Sequence, residues 1–253
     1  ACWIAISRAD RVILAGDHCQ LPPTIKCIEA ARGGLGRTLL EKVVLHKPET
    51  VSLLKIQYRM HEDIMRFPSR WFYHDELEAA PEVKYRGILD FDTPVSWIDT
   101  SELDLQEKAV AEGTGRLNTG EAELLVRELK NYMERIGIRR ILEEHIDFGV
   151  ISPYRAQVHY LRHLLKKEPF FRPCRRLITV HTVDGFQGQE RDVIMISLVR
   201  ANEKGQIGFL RDLRRMNVAI TRARMKLLIL GEAVTLTRHP FYRELYEYIG
   251  GLR

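Results

Sequence analysis

Five polar stretches in this chain carry side chains able to do chemistry, and four of them sit where an apolar run breaks off. The most crowded lies between the apolar runs 178–180 and 193–199, where Asp184, Gln187, Gln189 and Glu190 surround Gly185 and Gly188. Glycine permits backbone conformations and close approaches that a Cβ would block, so the loop suits contact with a ligand; a polar hairpin turn fits the same residues equally well. Residues 12–15 (VILA) run into GDHCQLPPT, where Pro22 and Pro23 forbid further helix or central strand, so a strand delivers Asp17 and Gln20 to its carboxyl end. His18 and Cys19 have no second ligand pair at suitable spacing, so no metal site is expected. The run 50–56, read as a buried strand, stops at QYRM and presents Gln57, Tyr58 and Arg59. A Tyr–Arg pair there offers a ring to stack on a base and a planar cation for phosphate, although a core-edge ring beside a surface charge is the commoner fate of that dipeptide. The strand 148–151 runs into SPYRAQ, with Ser152 as cap and Pro153 at the first helical position. Pro153 and Arg155 therefore mark a helix amino terminus, which attracts phosphate through its free N–H groups and dipole. The fifth stretch, RDLRRMNVAITRAR, reads as an arginine-rich helix over 211–224 with Leu213, Met216 and Ile220 on one face and Arg222 near its end.

The elements that must hold these loops follow from periodicity. A helix is expected at 36–45, where Leu39, Leu40, Val43 and Val44 share a face and Pro48 ends any continuation. The segment 61–73 starts helical, is expected to break at Pro68, and ends in a packing trio of Trp71, Phe72 and Tyr73. A strand is expected at 95–98, followed by a mobile acidic excursion over 99–116. Asn118 with Glu121 reads as a capping box opening a helix that carries Leu124, Leu125, Leu129, Tyr132 and Met133 up to Gly137. A strand at 227–230 and an amphipathic helix at 239–249 close the chain. Strands alternating with helices predict an α/β fold with a parallel, helix-covered sheet.

Composition sets outer bounds. With 253 residues, 45% of them hydrophobic, the chain can bury a full core. No apolar run approaches the about eighteen residues of a spanning helix, so no membrane partner is expected. Four sparse cysteines without a CxxC pair point to a reducing, intracellular compartment, cytoplasmic or nuclear. A net charge of +5 and a pI near 9.0 favour a polyanionic partner, with basic clusters at Arg172, Arg175 and Arg176 and over 211–224.

GDHCQLPPT, QYRM, SPYRAQ, TVDGFQGQE and NVAITRAR, in that order, resemble the later motifs of superfamily 1 (1B) helicases. The likeness is greatest to the branch that includes the nonsense-mediated-decay RNA helicase and the immunoglobulin-μ-binding-protein helicase, and it spans residues 12–230. The resemblance implies a RecA-like, P-loop NTPase type of fold and ATP as cofactor. It implies that Gln20 senses the γ-phosphate and that Tyr58 stacks on the base while Arg59 meets phosphate. Gly188 brings backbone close to the phosphates, Glu190 holds the ribose hydroxyl, and Arg222 serves as the arginine finger. Pro153, Tyr154, Arg155, Thr182 and Val183 match the single-strand channel, for DNA or RNA without sequence preference. GxxxxGK[ST] and the acidic Mg2+-holding pair are absent, so Mg2+ ligands are expected outside this chain, in an upstream RecA-like partner domain. Residues 1–30 are accordingly read as the tail of that first domain and 31–253 as the second motor domain, inactive alone. The run 12–15, read as an unpaired strand edge, is expected to invite self-association. The competing reading is a non-catalytic nucleic-acid-binding or scaffolding module with the same fold.

Overall fold

The computed structural model describes residues 4, 6–22, 25, 27–110 and 115–252. Cys2, Pro23 and residues 111–114, on which parts of the sequence reading fall, lie outside them. By its internal packing the chain divides into two units, Ala1–Leu53 and Leu54–Arg253.

In the first unit the expected helix forms at Leu39–His46, opened by a full capping box in which the Thr38 hydroxyl accepts from the Glu41 N–H (3.1 Å) and the Glu41 carboxylate accepts from the Thr38 N–H (3.3 Å). Residues 12–15 form no strand, and Ile13 stands 96% exposed. A strand exists only through hydrogen bonds to a neighbour, and no partner strand for this run lies among the described residues.

The described residues of the second unit form nine strands. Two are minimal, β1 (Ile56–Gln57) and β2 (Glu78–Ala79), paired in parallel. The run 50–56 is thus not a buried strand: 51–55 are exposed, and only Ile56 enters a ladder. Next come β3 (Val95–Asp99), the antiparallel pair β4 (Lys108–Ala109) and β5 (Arg116–Leu117), then β6 (Phe148–Ser152), β7 (Ile178–Thr182), β8 (Arg191–Ser197) and β9 (Ala223–Gly231). The main sheet is wholly parallel in the order β3-β9-β8-β6-β7. The central strand β6 is buried at every position, whereas the edge strand β3 alternates and the edge strand β7 buries only Val180, as expected where one side of a strand lacks a neighbour. Because β6 lies between β7 and β8, the glycine-rich loop is a crossover and not a hairpin turn.

Both sheet faces are covered. Leu125, Leu129 and Met133 of the Thr119–Ile136 helix and Val158 and Leu161 of the Arg155–Lys167 helix form one cluster with Val150, Val193 and Met195. Ile194 and Ile196, alternating with those on β8, are equally buried but lie outside that cluster, so the opposite face is covered too. Elsewhere in this unit, the Glu62–Phe72 helix packs Phe67, Trp71 and Phe72 around Phe241 of the Pro240–Gly250 helix, with ring centroids at 5.2, 5.1 and 5.9 Å. That packing carries the first helix straight through Pro68, which was expected to break it. Proline removes one N–H donor, a loss that aromatic burial on both sides offsets.

Three terminus readings also change. Asn118 caps its helix as expected, its Oδ1 accepting from the Glu121 N–H at 3.0 Å, but the Glu121 carboxylate does not reach back. It accepts instead from the Ser197 hydroxyl (2.5 Å) and the Val199 N–H (2.9 Å), while the Asn118 N–H donates to Gln157 Oε1 at 2.9 Å. Ser152 ends β6 rather than capping, its Oγ buried without a partner, and the helix begins at Arg155, not Pro153. The arginine-rich helix is only Leu213–Ile220, because β9 starts at Ala223 and pulls the last residues of the motif into the sheet.

Candidate functional site

Three of the five loops are stitched together at the amino-terminal ends of β8 and β9. The QYRM turn is shaped by one side chain: Gln57 Oε1 accepts from the N–H groups of Arg59 (2.9 Å) and Met60 (2.7 Å), and its Nε2 donates to the Met60 carbonyl (2.8 Å). Beyond the turn, the His61 N–H donates to the Arg224 carbonyl at 2.8 Å. On the other side, the Arg191 N–H donates to the Arg222 carbonyl at 3.0 Å. Residues 222–224 are thereby fixed between the QYRM turn and the QGQE loop.

Side chains complete the cluster. Arg59 points Nε at Glu190 Oε2 in a short charge-assisted contact, and its Nη1 donates to the Thr221 carbonyl at 3.0 Å. The other carboxylate oxygen of Glu190 receives Nε and Nη2 of Arg224, both at 2.9 Å. Arg224 Nη1 reaches Asp192 Oδ1 at 3.1 Å. Burial works against the charge on Glu190, but Arg224 and Arg59 outweigh it and hold the carboxyl below its usual range. Burial likewise opposes the charge on Arg224, and Asp192 and Glu190 more than restore it. Arg59 and Glu190 remain about one-third exposed, so the pair is open to a competing anion.

The other expected nucleotide residues take distinct places. Tyr58, next to Arg59, is 65% exposed, a ring free of core duties. Gly188 sits at φ 81°, a left-handed conformation that suits glycine. Gly185 is required for closeness, since a Cβ there would lie 1.8 Å from His181 Nδ1. Arg222 is brought beside the cluster, yet it is 3% exposed, with Nε donating to the Val218 carbonyl (3.1 Å) and Nη1 to the Gln189 carbonyl (3.0 Å). Gln20 belongs to the first unit, where its Nε2 donates to Asp17 Oδ2 at 2.8 Å.

In the same first unit the neighbouring residues Asp17, His18 and Cys19 bring one ligand atom each within 4.8 Å of one another. The Asp17 oxygens already accept from the Cys19 N–H (2.9 Å) and from Gln20, and burial followed by the Asp17 charge pushes the Cys19 thiol up to about 11.

The residues matched to a single-strand channel divide. The pairing of Ser152 with Thr182 sets the ends of β6 and β7 side by side, so Pro153–Arg155 and Thr182–Val183 leave the same sheet edge. Arg155 is exposed, and Pro153 and Thr182 are partly so. Tyr154 and Val183 are buried: the Tyr154 hydroxyl accepts from Arg200 Nη1 at 3.3 Å, and its ring packs on Phe209 with centroids 5.5 Å apart. These two support the surface and do not form it.

Sequence reasoning did not assign Arg224, Asp192 or Gln57 to the site. Gln57 lay within the quoted QYRM motif and Arg224 within NVAITRAR, so the signal was present for both; the strand that carries Arg224 into the cluster from Ala223 onward was not read.

Comparison with known proteins identifies the family. A family model described as an AAA domain matches residues 35–234, and a second of the same description matches residues 1–27. The chain belongs to the superfamily 1 helicases of the branch named above. It is 36% identical over 259 residues to the DNA-binding protein SMUBP-2 of Rattus norvegicus, covering 98% of this chain and 25% of that protein. It is 36% identical over 263 residues to an ATP-dependent helicase of Methanocaldococcus jannaschii (98% of this chain, 36% of that protein). With the regulator of nonsense transcripts 1 homolog of Drosophila melanogaster it shares 35% over 247 residues, 95% of this chain and 20% of that protein. The chain therefore spans about a fifth to a third of the length of these relatives. The parallel helix-covered sheet is the RecA-like architecture of this helicase family. Among the described residues no helix is long and apolar enough to cross a membrane.

Proposed function

We propose that this chain supplies the second RecA-like half of an ATP-driven motor that moves on single-stranded DNA or RNA or unwinds its duplex. The observation that carries the reading is the Arg59–Glu190–Arg224 cluster tied to the backbone of residues 221–224, which gathers the QYRM, QGQE and TRAR motifs at one open surface. In this reading Arg59 receives the phosphates, Tyr58 the base and Glu190 the ribose, while Gly188 lets the loop backbone approach. Arg222 is the arginine finger, released from the Val218 and Gln189 carbonyls when the cleft closes. Bound ATP contributes the phosphoryl group whose developing charge such an arginine stabilises, an effect worth on the order of a thousandfold or more in rate. The acids of the cluster, Glu190 and Asp192, are both paired to arginine, so Mg2+ is held by residues of another domain. Gln20 belongs, with residues 1–30, to the neighbouring RecA-like domain and couples its nucleotide to the strand. Pro153, Arg155 and Thr182 track the nucleic-acid backbone, with Tyr154 and Val183 beneath them. The chain alone, lacking GxxxxGK[ST], neither hydrolyses ATP nor binds it tightly.

The test is nucleic-acid-stimulated ATPase and strand displacement by the full-length protein, on tailed DNA and RNA duplexes, beside Arg222→Ala and Arg59→Ala. Loss of turnover by about a thousandfold in Arg222→Ala is expected. Full activity in either variant, or turnover by this chain alone that Arg222→Ala abolishes, refutes the reading; nucleic-acid binding without ATPase in the full-length wild type favours the scaffolding alternative.

A further inference from the structure

Glu190 is held from two sides by arginines that are themselves anchored differently. Arg224 has a second anion, Asp192, at 3.1 Å, and its peptide carbonyl is bonded to the His61 N–H, so it stays in place whatever Glu190 does. Among the described residues Arg59 has no second anion within bonding range: besides Glu190 its guanidinium reaches the Thr221 carbonyl. The two carboxylate oxygens are divided, Oε2 to Arg59 and Oε1 to Arg224. A phosphate arriving at Arg59 therefore competes with one oxygen of Glu190 and leaves the other oxygen held.

We infer that Glu190 acts as a stand-in anion for Arg59 until a nucleotide binds and that Arg224 is a positioning residue, which keeps the displaced carboxylate aimed so that its freed oxygen accepts a sugar hydroxyl. This rests on the nucleotide reading of the site and deepens it: the ligand class is a ribonucleoside triphosphate, and sugar selection depends on an arginine that touches neither sugar nor phosphate. Exchange of partners is balanced. The Arg59–carboxylate contact is replaced by an Arg59–phosphate contact of the same kind, and Oε2 passes from a guanidinium N–H to a hydroxyl, with no proton released. A further consequence is opposite in sign for the two halves of the ligand. Glu190 opposes binding of the phosphates and favours binding of the sugar, so only a ligand carrying both recovers what the exchange costs.

Equilibrium binding to the full-length protein tests this, by displacement of a fluorescent ATP analogue with tripolyphosphate, ATP and 2′,3′-dideoxy-ATP. Glu190→Gln keeps the shape and removes the charge; tripolyphosphate is expected to bind several-fold more tightly than to the wild type, while the preference for ATP over its dideoxy analogue disappears. Arg224→Gln is expected to lower that preference about tenfold, and Arg224→Lys, which keeps a cation beside Asp192, to recover part of it. Thermal melts identify any variant that fails to fold, and the remaining variants then decide. Unchanged or weaker tripolyphosphate binding by Glu190→Gln, or an unaltered sugar preference in Arg224→Gln, overturns the proposal. Arg59→Ala separates the two levels: if it leaves tripolyphosphate and ATP binding untouched, the nucleotide reading itself is wrong, whereas a large loss there with no sign reversal in Glu190→Gln defeats only the exchange.

Discussion

Glu121 offers the sharpest test of how this fold handles a buried charge. It sits on the first turn of the Thr119–Ile136 helix with no exposed surface, accepting from Ser197 and Val199 through Oε1 while Oε2 has no partner. Burial pushes its carboxyl up to about 7 from an ordinary value of 4.5; the Ser197 and Val199 bonds oppose the shift, and the charge of Glu232 adds to it. The folded carboxyl thus keeps its proton until about pH 7, whereas the unfolded one releases it near 4.5. Between those values the native state binds the extra proton, so this group lowers stability as pH rises through the window and changes nothing further above it. A shift of that size corresponds to about 3 kcal/mol. Glu121→Gln keeps the acceptor for Ser197 and Val199 and abolishes the titration. The difference in unfolding free energy between variant and wild type should therefore move by about 3 kcal/mol in favour of the variant from pH 4.5 to pH 8. Guanidinium denaturation followed by tryptophan fluorescence measures it, and taking the difference cancels the other titrating groups. A difference that stays constant across the range, or that favours the wild type at pH 8, refutes the buried, proton-holding carboxyl.

Two further substitutions probe the frame of the site. In Gly149→Ala the new Cβ would lie 2.5 Å from Ile194 Cδ1, 2.6 Å from Phe186 Cζ and 3.2 Å from Arg191 Cγ, so overpacking should cost about 1–3 kcal/mol and displace the QGQE loop; calorimetry and nucleotide affinity should fall together. Asn118→Ala removes the cap on Glu121 and the donors to the Leu105 (2.7 Å) and Val199 (3.3 Å) carbonyls, for which a loss of about 2–3 kcal/mol is expected in urea unfolding.

The strands β6, β8 and β9 were legible because each carries a short apolar run without polar alternation, at 148–151, 193–196 and 227–230, a pattern that fits burial on both faces. The helix at Thr119–Ile136 was legible from its apolar stripe and its cap. Local rules failed where a distant residue outbid a near one. Glu121 left its capping box for Ser197 and Val199, across 76 and 78 residues of sequence. Pro68 stayed inside its helix because Phe241 packs against both sides of it. The run 12–15 had the composition of a strand and no neighbour among the described residues to make it one.

What the sequence determined by itself was the inventory: which motifs occur, in which order, and that four of them end apolar runs. Side-chain chemistry and periodicity are local properties, written in the order of residues. Only the tertiary structure decided that the QGQE loop crosses over β6, that Arg59 and Arg224 meet on opposite oxygens of Glu190, and that Arg222 and Tyr154 are buried while Arg155 is not. Those facts depend on strand order and on contacts between residues more than 130 positions apart, which spacing along the chain does not encode.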